Sequence, residues 1–388
     1  LAKPRILMVA TGGTIASAET GEGLAPQLTG EQLAGYVPQV AELADIDIVQ
    51  PMNIDSTNMG PADWQRIGDA ILARYEDYDG FVVLHGTDTM AYTAAALSYL
   101  IQESPRPIVL TGSQQPMASP FTDARLNLFQ SVIYAADPAS RDVSVVFGGK
   151  VVAGTRARKQ RTMSFNAFTS VNYPELALIR RDRIIRTAPA APVAAPATVP
   201  AETPAQAAST APAATPAKAA PAPVTPEAPT GEVPAPSTPA GPQATPPDQP
   251  VIYHDLDERV FVLKLTPGIS PKTFSLLAPS YDAIILETFG IGGIPDTLRD
   301  ALFAWVDSGR TLVVTTQVPE EGLDLGVYEV GRAYSEHPGI LKGDDMTSEA
   351  LVAKTMWALG QARGLADAAE RRALIRELFY RPVNHDRM

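Results

Sequence analysis

Short runs of consecutive apolar residues recur along this chain, and several end in an exit rich in glycine and threonine. Residues 5–10, 81–84, 108–111 and 143–147 form such runs in the first half, and 260–265, 283–287 and 311–315 in the second. Apolar runs of four to six residues without alternation predict strands buried on both faces. The segment 91–100, AYTAAALSYL, and residues 296–307 and 349–359 predict helices between or after them. Short buried strands with intervening helices imply parallel sheet. The fold class expected is therefore α/β, with two α/β domains and mainly parallel sheets.

Between the two sets of strands the pattern stops. Residues 188–250 comprise 63 positions, of which 21 are Ala and 18 are Pro, with five charges and no aromatic residue. Repeated proline blocks helix propagation, and there is little apolar bulk to bury. This composition predicts a disordered or polyproline-like linker. A spacer is the simplest use, because no aromatic or basic anchor accompanies the prolines as a docking motif would require. The domain reading is then 1–187 for an amino-terminal α/β domain, 188–250 for the linker and 251–388 for a carboxyl-terminal α/β domain.

Composition narrows the chemistry more by exclusion than by indication. The 388 residues suffice for two domains with sizeable cores. The formal net charge of −12 argues against nucleic acid and against anionic membrane surfaces as partners. There is no apolar run of membrane-spanning length, and no signal-peptide pattern stands near Leu1. With no cysteine, disulfides, thiolate nucleophiles and Cys-ligated zinc are excluded. The four histidines, His85, His254, His337 and His385, show no metal-ligand spacing, so a His-based metal site is not expected. No GxSxG elbow, P-loop or GxGxxG fingerprint occurs.

Two strand exits concentrate the polar chemistry. Residues 6–16, ILMVATGGTIA, place Thr11 and Thr14 after a buried strand, with Gly12 and Gly13 allowing a sharp turn and close approach to a ligand. Residues 80–90, GFVVLHGTDTM, place His85, Thr87 and Asp88 in the same kind of position, ahead of a helix. Open α/β sheets bind ligands at the carboxyl ends of their strands. Asp88 can serve as a helix cap, as a ligand contact, or as both. His85 reads as a structural residue that fixes the turn. On residue chemistry alone, Thr14 could equally belong to a glycine-rich turn, and Asp55, Ser56 and Thr57 to a simple turn. Lys159 could be a surface charge in the basic stretch with Arg156, Arg158 and Arg161.

The segments TGGTIA and HGTDTM resemble the two signatures of the bacterial-type L-asparaginases. MNIDSTNM at 52–59, VLTGSQQP at 109–116, VNYP, YEVGR and MWALGQ follow in the order expected of that family, and the pattern is most similar to its cytoplasmic (type I) branch. The resemblance spans the chain outside the Ala/Pro-rich insert, which falls where the family's two domains connect. It implies an asparaginase that hydrolyses L-asparagine to L-aspartate and ammonia through a threonine acyl-enzyme. It further implies Thr14 as nucleophile and Thr87, Lys159 and Asp88 as a Thr-Lys-Asp relay. The substrate would be held by Asp55, Ser56, Thr57, Thr87 and Asp88, with Ser56 on the α-carboxylate and Asp88 on the α-ammonium. A homodimer, or a homotetramer of two dimers, is the implied assembly.

The chain departs from the family's pattern in two places. Many members carry a tyrosine in the loop after TGGTIA that helps to activate the first threonine; here EGLAP has Leu24, which leaves that activator unassigned, and Tyr36 is distant in sequence. Some cytoplasmic members bind asparagine at a second, regulatory site through an Arg and a Cys, whereas the matching positions carry Glu287 and Val318. A glutaminase-asparaginase of broader specificity is the nearest alternative, since one methylene in a pocket discriminates by only about 10–200-fold. An amino-acid-binding module without turnover is the non-enzymatic one. The related amidotransferase component that releases ammonia for tRNA amidation usually has an additional amino-terminal domain, and this places it further away.

Overall fold

The computed structural model describes residues 2–13, 15, 17–20, 23–26, 35–187, 249–326, 334 and 336–388, with backbone only for 17–20 and 23–26. The linker predicted at 188–250 therefore lies almost wholly outside the described residues, as do Thr14 and YEVGR.

The apolar runs of the first half become β1 (Arg5–Ala10), β2 (Asp45–Val49), β3 (Gly80–Leu84), β4 (Ile108–Thr111) and β5 (Val143–Phe147), all parallel. Their spatial order is β2-β1-β3-β4-β5. In this order β1 is flanked by β2 and β3, so the chain leaves β1 to one side first and returns to the other. The gap between the β1 and β3 exits is the switch point at which such sheets bind ligands. The sheet is not wholly parallel: β6 (Lys150–Ala153), β7 (Ala177–Arg180) and β8 (Arg183–Arg186) extend it antiparallel beyond β5. The reversal is made by Gly148 and Gly149 at φ +59° and +76°, the left-handed pair that a two-residue hairpin requires.

The second half builds an all-parallel sheet of β9 (Val260–Lys264), β10 (Ala283–Thr288), β11 (Thr311–Thr316) and β12 (Ile340–Lys342) in sequential order. The helix expected at 296–307 is a 3-10 turn, Asp296–Leu298, followed by the α-helix Arg299–Asp307.

Alternation along the strands sorts the side chains into three apolar layers. Ile6, Met8, Val82 and Leu84 face one outer layer, and Leu7, Val9, Phe81 and Val83 face the middle one. In the second sheet Ala283 and Ile285 face that same middle layer, while Ile284 and Leu286 face the other outer layer. The two α/β halves thus share a continuous core. Its joint is helix α1 (Met90–Leu100), whose side chains are nearly all buried, packed on helix α2 (Ser348–Gln361). Tyr99 of α1 stacks on Trp357 of α2 with ring centroids 5.8 Å apart. An alanine-rich helix lets the two backbones approach while the aromatic pair fills the remaining space. The chain rejoins the fold beyond 248 as Val251–Ile252, paired antiparallel with Ile101–Gln102 at the end of α1.

Among the described residues no helix is long and apolar enough to cross a membrane, and no cluster of three His, Cys, Asp or Glu residues could hold a metal ion.

Candidate active site

Three strand exits converge at the switch point. The Thr11 hydroxyl donates to the Leu84 carbonyl at 2.8 Å, tying the end of β1 to the end of β3. Gly12 and Gly13 follow at φ +107° and +81°. A Cβ on Gly13 would stand 2.3 Å from the Gly86 backbone, and one on Gly86 would stand 2.5 Å from Ser56 Oγ. Glycine is required at both positions because three chain segments pass at van der Waals distance. The backbone beyond β1 also engages the 52–59 loop, with Gly13 N–H donating to the Ile54 carbonyl at 3.2 Å and Ile54 N–H to that of Thr11 at 2.9 Å.

At the β3 exit His85 is fully buried. Its Nδ1 lies 2.7 Å from the Gly86 carbonyl and its Nε2 2.9 Å from Thr93 Oγ1. A carbonyl can only accept, so Nδ1 carries the proton and Nε2 accepts from the threonine. Burial pushes the imidazole pKa down to about 4, outweighing the opposing effect of the Gly86 carbonyl. His85 is therefore a neutral strut between the turn and α1, with both nitrogens engaged.

Thr87 and Asp88 come next, and both meet Lys159. Lys159 Nζ lies 2.8 Å from Thr87 Oγ1 and 2.6 Å from Asp88 Oδ1. The Thr87 hydroxyl donates to Gln114 Oε1 at 3.2 Å. Thr87 is buried, Lys159 nearly so, and Asp88 is 57% exposed. The threonine oxygen thus receives from an ammonium while its proton points to an amide carbonyl. Such a setting polarises a hydroxyl and lowers the cost of negative charge on its oxygen. Asp88 does not cap the helix: the N-cap of α1 is Thr89, with no side-chain cap bond, and the Asp88 carboxylate is turned to Lys159 instead. Nor is Lys159 a surface charge. It ends the short strand Ala157–Lys159, where alternation sends Arg158 the opposite way, to Glu349 at 3.8 Å.

In the 52–59 loop the structure separates three neighbours. Ser56 is buried against Gly86, and its carbonyl accepts from Thr89 Oγ1 at 2.7 Å. Asp55 is engaged locally: it caps the 3-10 turn Ser56–Asn58 and accepts from Thr57 N–H at 2.9 Å and Thr57 Oγ1 at 3.0 Å. Asp55 and Thr57 are thus held to each other, whereas Ser56 packs against Gly86, and Thr87 and Asp88 meet Lys159. Of the EGLAP segment, Gly23–Pro26 pairs antiparallel with Ser17–Thr20, and the Leu24 side chain is outside the described residues. Tyr36 is exposed, with the Arg125 guanidinium over its ring.

Gln114 is the residue that sequence reasoning did not single out. It sits at the β4 exit, in the TGSQQP segment, the third glycine-containing exit in a row. Asp123 holds that loop, accepting from the backbone N–H groups of Gln114 and Gln115 and from Asn127 Nδ2, all within 3.1 Å. Burial nonetheless raises the Asp123 pKa, the desolvation outweighing these donors.

Glu287 and Val318 line a separate cavity of about 60 Å³ at the carboxyl ends of β10 and β11, together with Arg158, Thr315, Thr316 and Ser348. Ser348 Oγ donates to Glu287 Oε1 at 2.7 Å, which engages one oxygen of the glutamate within the fold.

With the geometry in place, comparison with known proteins is informative over nearly the whole chain. The family model for the asparaginase N-terminal domain matches residues 5–190, and that for the glutaminase/asparaginase C-terminal domain matches residues 259–373. An L-asparaginase of Thermococcus kodakarensis is 34% identical over 368 residues, spanning 94% of this chain and 95% of that protein. The solved structure of the thermostable L-asparaginase from the same organism superposes with a TM-score of 0.75 at 32% identity, covering 99% of each chain. L-asparaginase 1 of Escherichia coli is 32% identical, covering 92% of this chain and 93% of that protein. A component of the glutamyl-tRNA(Gln) amidotransferase of Metallosphaera sedula is also similar, at 28% identity over 94% of this chain and 74% of that protein.

Proposed function

The chain belongs to the asparaginase family of amidohydrolases, and from that premise we propose that it hydrolyses L-asparagine to L-aspartate and ammonia through an acyl-enzyme on Thr14. The observation that carries the proposal is the contact of Lys159 with both Thr87 and Asp88 at 2.8 and 2.6 Å. A lysine brought across more than 70 positions to a threonine-aspartate pair is the arrangement that a Thr-Lys-Asp relay needs.

Thr14 Oγ attacks the side-chain amide carbon, its proton passes to the departing nitrogen, and ammonia leaves. Water then attacks the acyl-enzyme, releasing aspartate and restoring the Thr14 hydroxyl. Lys159 and Thr87 supply positive charge and a polarised hydroxyl beside the reacting carbonyl, where charge develops in both steps. Ser56 and Asp88 hold the α-carboxylate and α-ammonium. Clamping both ends of an amino acid fixes the distance of its amide from the nucleophile, and such positioning supplies a large share of rate acceleration. Asp55 and Thr57 act at one remove, as the capped turn that presents Ser56. The reaction uses no metal or cofactor, and the enzyme is a cytoplasmic, type I-like homodimer or homotetramer. The likeness to Escherichia coli L-asparaginase 1 supports the branch assignment.

Ammonia release from L-asparagine and L-glutamine, measured in parallel with Thr14→Ala as control, tests this reading. Release from asparagine well above glutamine, abolished in Thr14→Ala, is the expected result. Turnover of glutamine at an equal rate would make the protein a glutaminase-asparaginase. Binding of asparagine without release would leave a binding module, and would point to Leu24.

A further inference from the structure

We propose that Asp386 is a positioning residue for Lys159, holding residues 383–388 as a strap that fixes both sides of the Lys159–Asp88 contact. The inference rests on the amidohydrolase reading of Lys159. The strand that carries Lys159 is only three residues long, so hydrogen bonding along it cannot by itself fix where the lysine points. That strand pairs antiparallel with Phe168–Ser170, and the chain just upstream of it is tied to the carboxyl-terminal segment. Thr155 Oγ1 donates to the Asn384 carbonyl at 2.6 Å, and Arg156 Nε donates to that of His385 at 2.5 Å. Arg156 is fully buried, and its Nη1 also donates to Asp345 Oδ2 at 2.9 Å.

The strap needs holding in turn, because Asn384 and His385 lie in the left-handed region at φ +46° and +63°. Non-glycine residues persist there only when the surroundings over-determine them. Asp386 provides that constraint. Its side chain is fully buried, Oδ2 accepting from Lys354 Nζ at 2.5 Å and from Tyr99 OH at 2.9 Å, and Oδ1 from Val383 N–H at 3.1 Å. The Asn384 amide adds bonds to Ser98 Oγ at 2.9 Å and to the Val143 carbonyl at 2.8 Å.

Tyr99 and Ser98 belong to α1, the helix that starts two residues after Asp88. One buried carboxylate is therefore bonded to the helix that follows Asp88 and, through the strap, to the segment that leads into Lys159. It touches no atom of the proposed substrate site.

The test compares Asp386→Asn and Asn384→Ala with Val306→Ala, a truncation in the far outer layer of the second sheet. Melting curves are recorded for each full-length variant, and kcat and KM for L-asparagine are measured below every melting midpoint. Both strap variants should lose roughly 10- to 100-fold in kcat with KM within about three-fold, as displacement of a catalytic group by about 1 Å costs. Val306→Ala should keep kcat within about two-fold at a comparable loss of melting temperature. Should Asp386→Asn fail to fold with Lys354 left unpaired, Asn384→Ala decides alone. Strap variants with kcat near that of the parent would overturn the proposal, as would an equal loss in Val306→Ala. A parent enzyme inert towards both asparagine and glutamine would instead remove the amidohydrolase reading on which the proposal stands.

Discussion

Lys159 and Asp88 stand 2.6 Å apart although 71 positions separate them, and the lysine holds Thr87 with the same nitrogen. The pair is half exposed on the aspartate side. Exposed ion pairs contribute only about 0–1 kcal/mol to stability. The contact is thus too weak to be explained as a structural brace, and its consequence should appear in rate. Lys159→Met should lower kcat for asparagine by roughly 10²–10⁴-fold while the melting temperature moves by no more than a few degrees. Parallel assays of ammonia release and thermal melting check this, and a large drop in melting temperature with kcat retained would contradict it.

Gln114 accepts the Thr87 proton at 3.2 Å and fixes which way that hydroxyl points. Gln114→Leu keeps the volume and removes the acceptor. The Thr87 hydroxyl is then free to rotate, and kcat should fall by about ten-fold, an order of magnitude set by the net worth of one hydrogen bond. Gln114→Glu retains an acceptor and should recover most of the loss. Equal activity in Gln114→Leu and the parent would show that the orientation of Thr87 does not matter.

What the sequence revealed follows from how each segment is buried. Residues 108–111 and 143–147 form strands within the limits that their apolar runs predict, because both faces of those strands are covered. Strand β2, DIDIV, escaped notice because it lies at the edge of the sheet, where burial alternates and aspartates occupy the open positions. The strands β6 to β8 are short and follow a Gly-Gly turn that carries little signal of its own. In the candidate site, Thr87 and Asp88 follow Gly86, a glycine that announces close packing, whereas the loop that carries Ser56 has no glycine. Lys159 is different: nothing within RARKQR distinguishes it from its basic neighbours. Only the alternation of a three-residue strand, visible once folded, turns Lys159 towards Thr87 and Arg158 towards Glu349. Long-range contacts of this kind leave no local pattern, so family resemblance alone pointed to that lysine. For Gln114 the sequence carries a signal, the third glycine-containing exit after a buried strand.

The close approach of Gly86 to Ser56 makes a steric prediction that is independent of catalysis. In Gly86→Ala the new Cβ meets Ser56 Oγ at 2.5 Å and Ser56 Cβ at 2.7 Å. Overpacking of this kind costs typically about 1–3 kcal/mol. Gly13→Ala should cost more, because its Cβ meets backbone rather than a side chain and its φ of +81° is unfavourable for alanine. Ser56→Gly placed together with Gly86→Ala removes the clashing atoms and should restore much of the melting temperature. Denaturant melts of the three variants check the order, and no recovery in the double variant would mean that the strain lies elsewhere.

His85 should make the fold sensitive to mild acid. Its pKa is about 4 in the folded chain, lowered from 6.5 chiefly by burial. Between these values the unfolded chain binds a proton that the folded chain does not. The contribution of His85 to stability therefore rises with pH across the window from 4 to 6.5, and is lost as pH falls through it, while Asp142, whose pKa burial raises to about 6, contributes in the opposite sense over much of the same window. The His85 shift corresponds to about 3 kcal/mol once pH reaches the lower end. The salt-bridged carboxylates Glu175 and Asp257, whose pKa values are lowered, also lose stabilisation in acid, but do so below their ordinary range near 4. The contribution of the histidine is separated by comparison with His85→Gln, which keeps a donor and an acceptor between the Gly86 carbonyl and Thr93 but does not titrate. The variant should start less stable at about pH 7 and show a shallower decline from about pH 6.5 to 4.5. Parallel slopes for the two proteins in that window would mean that His85 does not remain neutral, and that the tautomer deduced from its two hydrogen bonds is wrong.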